Sequence, residues 1–237
     1  RCFAFFHPQL PREPLIFVEV ALLPDMPSAV GPLIDKASTA LPPSSFKVAA
    51  FYSISNCQPG LKGVSLGNFL IKRVAEELKR ELPQLRTFCT LSPIPGFARW
   101  VRAGAECEGL TRTRAEHLAQ VRTQWLAANG GDLDRATTAT ALRALPPEAN
   151  LALQRLGAFY LACHSPATGG DPVARFHLDN GARLERLNVL GDLSAKGARQ
   201  SFGLMVNYLY DLQKVEAHHE KFVQGDVAHS RAVASLL

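Results

Sequence analysis

The sequence has no Cys-x-x-Cys pair and no apolar run of membrane-spanning length. Its five cysteines, Cys2, Cys57, Cys89, Cys107 and Cys163, are odd in number and scattered. That spacing fits neither a disulfide framework nor a zinc site, and it predicts buried free thiols in a reducing compartment. A membrane-spanning helix needs about 18 or more consecutive apolar residues. The longest apolar stretch, residues 15–23, is interrupted by Glu19 and reads as a buried strand. Internal repeats, low-complexity tracts and a signal-peptide pattern are absent from these residues. So is a block of one charge sign. The formal net charge is +5, yet Lys and Arg are spread among acids, without the aromatic-basic interleaving of a base-stacking platform. Nucleic acid and membrane are therefore not the expected partners, whereas modest positive potential suits a small polyanion. No initiating Met is present either. The chain opens on Arg1-Cys2-Phe3 in what reads as mid-strand, so a fragment of a longer protein is expected.

What is there is globular. At 237 residues, 47% hydrophobic and 20% charged, the chain can bury a full core. Residues 2–6 and 15–22 read as paired strands, with Pro8, Pro11 and Pro14 between them. Residues 29–37 suggest a short helix, and residues 48–55 and 86–91 read as strands. Between about residues 98 and 164 the periodicity turns helical. Leu118, Val121 and Trp125 share one face there, and Leu156, Phe159, Tyr160 and Cys163 share another. Asn129-Gly130-Gly131 and Pro146-Pro147 divide that region into about three helices, the Ala-rich residues 135–145 forming the middle one. Such an insertion could shape a substrate pocket or pack outside it. Gly169-Gly170-Asp171-Pro172 marks the return to the sheet. Strands are expected at 183–190 and 204–210, the latter closing the sheet. A Ser194-capped helix is expected at 194–201 and a terminal helix at 223–237.

Residues 46–97 are the most informative. An apolar strand runs into a turn with Gly60, Gly63, Ser65 and Gly67, then an amphipathic helix, a second strand and a Ser-Pro-Ile-Pro-Gly loop. Leu66, Leu70, Val74 and Leu78 make the apolar stripe, with Phe69 and Ile71 alongside. Arg73/Glu77 and Glu76/Arg80 are candidate i,i+4 ion pairs. A strand-helix-strand unit of this size predicts a parallel crossover. A turn that opens a helix exposes free N–H groups suited to phosphate. Lys62, Gly63, Val64, Ser65, Leu66, Gly67 and Asn68 are therefore the candidate pyrophosphate cradle. The following loop could aim a hydroxyl into the same crevice.

The strings GLKGVSLGNFLIKRVAEELKREL, TLSPIPGF, DPVARFHLDNGARLERLN and GLMVNYLY resemble the malonyl-CoA decarboxylase family and occur in its order. The resemblance runs from about Arg1 to Tyr210. It implies a mixed, mostly antiparallel α/β sheet of the Gcn5-related N-acetyltransferase type with a helical insertion at about 98–164. It also implies an N-terminal helical domain preceding this chain. The fold's usual Arg/Gln-x-x-Gly-x-Gly turn is present only in part, since Ser65 stands where the first glycine would be.

The resemblance further implies conversion of malonyl-CoA to acetyl-CoA and carbon dioxide, with no metal and no cofactor beyond the CoA of the substrate. Losing carbon dioxide leaves an enolate on the thioester, which needs donors at its oxygen and then a proton at carbon. Ser92 falls on the family's catalytic serine. Taken alone, a Ser before Pro is ordinarily a turn former. His177 falls on the catalytic histidine, a group that titrates near neutral pH. It is the expected proton donor, its plain alternative being a structural role at Asp179-Asn180-Gly181. Asn207, Tyr208 and Tyr210 are candidate pocket residues, although a strand tyrosine is usually core. His218 and His219, beside Glu216 and Glu220, read as a solvated helix face. Two other functions fit the fold: an acyl-CoA N-acyltransferase and a non-catalytic CoA-binding regulatory module. Whether the malonyl group arrives on CoA or on an acyl carrier protein is left open by the sequence. A cytoplasmic homo-oligomer is the expected state of the full-length protein.

Overall fold

The structure, a computed structural model, describes residues 1–37, 39, 41–61, 66–167 and 169–237, and of Asn68 the backbone alone. β1 (Cys2–His7) and β2 (Leu10–Leu23) form an antiparallel hairpin. Alternation along β2 sends Ile16, Val18 and Val20 into the core, all at most 2% exposed. β2 begins earlier than the sequence suggests and runs through Pro11 and Pro14. Those prolines are tolerated because this end pairs only with β1, across an irregular register at Phe5–His7.

After the single turn of α1 (Gly31–Ile34), β3 (Val48–Asn56) pairs antiparallel with β2. α2 (Gly67–Glu81) then crosses to β4 (Thr87–Thr90), which lies parallel to β3 as the crossover predicts. α2 buries Leu70, Ile71, Val74, Ala75 and Leu78. Two details differ from expectation. Phe69 is 59% exposed and packs at 5.6 Å on Phe5 at the sheet edge. The ion pairs form at i,i+3, as Arg73–Glu76 (3.4 Å) and Arg80–Glu77 (2.6 Å). All four side chains are solvated, so such pairs contribute at most about 1 kcal/mol.

β5 (Ser92–Pro93) leads into α3 (Phe97–Arg102), α4 (Arg112–Ala128), α5 (Ala139–Arg143) and α6 (Pro147–Phe159). A π-helical turn, Tyr160–His164, ends α6. The chain does not return to the sheet at Gly169–Pro172. Asp171 caps one more helix, α7 (Pro172–Asp179), before β6 (Arg183–Asn188). Then come α8 (Ala195–Ser201), β7 (Met205–Leu209), α9 (Val215–Val223) and α10 (Arg231–Ala234). Ser194 caps α8 by accepting from Gly197 N at 3.1 Å, as expected. The expected terminal helix is displaced. Gly225, at φ +84°, follows α9, and the chain then pairs through His229 with Leu184 of β6.

The strand order is β1-β2-β3-β4-β7-β5, with β6 on the other side of β7. Every strand pair except β3/β4 is antiparallel. This is a mixed, mostly antiparallel sheet, as expected. β7 does not close the sheet but lies inside it, touching β4, β5 and β6. The cysteines also correct the expectation of buried thiols. Only Cys89 is buried; Cys2 is exposed and Cys57, Cys107 and Cys163 are intermediate. Among the described residues no helix is long and apolar enough to cross a membrane.

Candidate active site

The site begins where the parallel pair parts. β3 and β4 pair from Val48↔Thr87 to Phe51↔Thr90 and no further. Beyond that point β3 bulges. Tyr52 to Ser55 spans three steps against the two from Glu19 to Phe17 on β2, and Ser53 takes up the slack at φ 51°. On the other side β5 swings over to pair with β7 at Ser92↔Val206. The strands splay, and a cavity of about 330 Å3 opens between them. Phe51, Tyr52, Ser53 and Leu91 line it from the sheet, and Val173 and Phe176 from α7; Ser92 and His177 meet at its wall. A larger open groove of about 530 Å3 lies between β1 and α2, away from both residues.

Ser92 is 4% exposed. Its Oγ donates to Thr90 Oγ1 at 2.9 Å and stands 3.1 Å from His177 Nε2. Thr90 Oγ1 also accepts from Tyr208 N at 3.3 Å. His177 Nδ1 lies 2.9 Å from the Tyr210 hydroxyl. With Ser92 donating to Thr90, the imidazole must present Nε2–H to Ser92 and accept the Tyr210 proton on Nδ1. The result is a chain of donors running one way, from Tyr210 through His177 and Ser92 to Thr90. The ring of His177 is also clamped, stacked on Tyr208 at 4.6 Å with Phe176 edge-on at 5.1 Å.

Burial changes the expected titration. Desolvation pushes the His177 imidazole down to about 3, so it is neutral at physiological pH rather than half-charged. The same burial drives the Tyr210 phenol upward. Neither group carries charge, and the cavity lining among the described residues holds no Lys or Arg.

The remaining candidates divide. Asn207 does not line the cavity. Its Nδ2 donates to Thr90 O (2.7 Å) and Pro27 O (3.0 Å), while its Oδ1 accepts from Asn188 (2.8 Å) and Arg186 (3.2 Å). It staples the residues before Ser92 in place. Tyr208 is the floor beneath His177, and its hydroxyl has no hydrogen-bond partner among the described residues. Tyr210 touches the histidine directly. Of the candidate phosphate cradle, Lys62, Gly63, Val64 and Ser65 lie outside the described residues. Leu66 is the N-cap of α2, and its side chain cannot accept a hydrogen bond from the first-turn N–H groups of Gly67 to Phe69. Gly67 has a packing reason of its own. A Cβ there would run into the Phe176 ring, so α2 and α7 meet at this glycine. His218 and His219 turn toward the carbonyls of Gly181 (3.2 Å) and Asp179 (2.6 Å), fastening α9 to the end of α7.

Sequence reasoning missed Thr90 and Asp171. Asp171 is 1% exposed. Its Oδ1 accepts from Val173 N (3.0 Å) and Ala174 N (3.1 Å), and its Oδ2 from Gly96 N (3.1 Å) and the Tyr160 hydroxyl (3.3 Å). The signal was present, since Asp before Pro is the usual pair at N-cap and N1 of a helix. Thr90 has no local signal, because only the splay turns its hydroxyl toward Ser92.

Splayed central strands, a buried Ser-His contact between them and an uncapped helix start define a mixed α/β protein with a candidate active site in its sheet. The chain belongs to the malonyl-CoA decarboxylase family, whose C-terminal domain model matches residues 1–237. It is similar to the crystal structure of malonyl-CoA decarboxylase from Rhodopseudomonas palustris, at 48% identity and TM-score 0.80, covering 100% of this chain and 52% of that one. The structure of the Agrobacterium vitis enzyme is 45% identical, with TM-score 0.81 and 56% of that chain covered. Mitochondrial malonyl-CoA decarboxylase of Anser anser anser is 36% identical over 234 residues, 94% of this chain and 46% of the relative. The chain therefore spans about half the length of these relatives.

Proposed function

We propose that this domain decarboxylates malonyl-CoA to acetyl-CoA and carbon dioxide. The observation that carries the reading is the 3.1 Å contact of Ser92 Oγ with His177 Nε2, at the mouth of the strand splay. A pantetheine arm laid along the bulged end of β3 brings its thioester to that pair. The pyrophosphate end then meets residues 62–68, where the first N–H groups of α2 and its dipole favour negative charge. Bound CoA is expected to slow amide hydrogen exchange at Gly67, Asn68 and Phe69. Protection elsewhere with none there would move the nucleotide site.

The chemistry follows from the absence of charge among the described lining residues. A carboxylate drawn into an apolar cavity without a cation is destabilised, while the carbon dioxide that leaves is neutral. The bond to the carboxylate breaks and its electron pair passes into the thioester carbonyl, forming an enolate. That oxygen needs a donor, and the Ser92 hydroxyl at the cavity wall supplies one by turning its proton from Thr90 to the substrate. A charged imidazolium here would pair with the substrate carboxylate and hold it back. A neutral imidazole avoids that, and the enolate carbon is basic enough to take a proton from a neutral donor. His177 Nε2–H is that donor, beside or through Ser92, with the Tyr210 hydroxyl replenishing Nδ1 and solvent supplying the net proton.

The test is release of carbon dioxide from malonyl-CoA by the full-length cytoplasmic protein with no added amine. Acyl transfer to an amine without carbon dioxide favours the N-acyltransferase reading, and CoA affinity with no turnover favours a regulatory module. Faster release from a malonyl acyl carrier protein would assign the carrier instead of CoA.

A further inference from the structure

We infer that Asp171 is a positioning residue that sets the distance between Ser92 and His177. This rests on the decarboxylase reading of the site. Three segments converge on its one buried carboxylate. The first is the loop behind Ser92, whose Gly96 N–H donates to Oδ2 at 3.1 Å. The second is α7, which carries His177 and whose first-turn N–H groups of Val173 and Ala174 donate to Oδ1. The third is the π-helical turn at the end of α6, where the Tyr160 hydroxyl donates to Oδ2 at 3.3 Å.

A helix cap needs only one of these oxygens. Oδ2 is spent on the loop and on Tyr160, and neither bond serves helix capping. The loop side is built for that approach. A Cβ at Gly96 would collide with the Tyr160 hydroxyl, so only glycine fits there. Tyr160 is itself immobilised between Phe97 (5.6 Å) and Trp100 (5.2 Å). Pro93 and Pro95 stiffen the path from Ser92 to Gly96. α7 is continuous from its cap to His177. Both catalytic groups thus stand at the ends of rigid arms that meet at Asp171. Tipping one arm against the other changes the Oγ–Nε2 separation. A misplacement of about 1 Å in a reacting pair can cost about 100-fold in rate.

Asp171→Asn separates positioning from capping. Its amide oxygen still caps α7, but its NH2 then faces the Gly96 N–H, donor against donor. In the full-length protein, D171N is expected to lower kcat for malonyl-CoA by about 10- to 100-fold, with KM within about twofold. Tyr160→Phe keeps the carboxylate and the cap, and is expected to lower kcat several-fold. A cap-only role predicts parent-like kcat in both variants, since both keep the cap. A second readout needs no turnover: the ring 15N resonances of His177 in selectively labelled protein. They are expected to move in both variants toward those of a ring that has lost its Ser92 partner. Unchanged kcat together with unchanged His177 resonances in D171N and Y160F would overturn the inference. A parent protein that releases no carbon dioxide would end the decarboxylase reading alone, and the resonances would still decide whether Asp171 positions His177.

Discussion

Replacing Ser92 with alanine is expected to lower malonyl-CoA turnover by about 100- to 1,000-fold, the usual loss when one oxyanion donor is removed. CoA affinity should stay near the parent value, because the lost hydroxyl serves the acyl end. The fold should survive. Ser92 remains held by its pairing with Val206 on β7, and the change removes one oxygen from a well-packed wall. It does leave the buried Nε2–H of His177 without its partner, which costs about 1–3 kcal/mol and should show as a lower Tm. Near-parent turnover in a correctly folded S92A protein would remove Ser92 from the chemistry.

The second large effect is on pH dependence and belongs to His177. Its folded pKa is about 3, below the ordinary 6.5 it regains on unfolding. The unfolded chain therefore binds the extra proton below pH 6.5 and the folded chain does not. The stabilisation is complete above pH 6.5 and is lost as pH falls from 6.5 toward 3, by about 1.4 kcal/mol per unit. Thermal melts of the parent should decline between pH 6.5 and 5 more steeply than those of His177→Asn. The same substitution should leave CoA binding intact and turnover weak. Activity of the parent should show no inflection near pH 6.5 assignable to this residue, since it is already neutral there. Parallel melting curves for parent and H177N across that range would mean that His177 titrates normally and is not desolvated.

The sequence carried the strand-helix-strand unit plainly, because α2 shows a helical apolar stripe and β3 and β4 flank it. Ser92 and His177 were legible only through their motifs. Their contact bridges 85 residues, and no local pattern encodes it; the splay of β3 from β4 and the insertion of α7 create it. The neutrality of the imidazole was invisible for the same reason, since burial is a property of the assembled site. Local misreadings have local causes. The turn at Gly225 displaced the terminal helix, Phe69 found the sheet edge instead of the core, and the α2 charges settled for i,i+3 partners. Asp171 was passed over because Gly-Gly-Asp-Pro was read as a break, when its last two residues begin a helix. Asn207 was placed in the pocket by its motif, yet its amide is consumed by four structural hydrogen bonds.

The central claim is that Ser92 and His177 together carry an enolate from decarboxylation to protonation. The most direct test is a single turnover of malonyl-CoA in deuterium oxide by the full-length protein, following carbon dioxide and the acetyl methyl group together, in the parent and in the S92A/H177N double variant. The account predicts carbon dioxide and acetyl-CoA in equal amounts in the parent, with one deuterium delivered per methyl group, and a rate in the double variant no lower than about tenfold below the worse single variant, since groups acting as a unit are not additive. Parent-like rate and deuterium delivery in the double variant, or disappearance of malonyl-CoA without carbon dioxide, would contradict it.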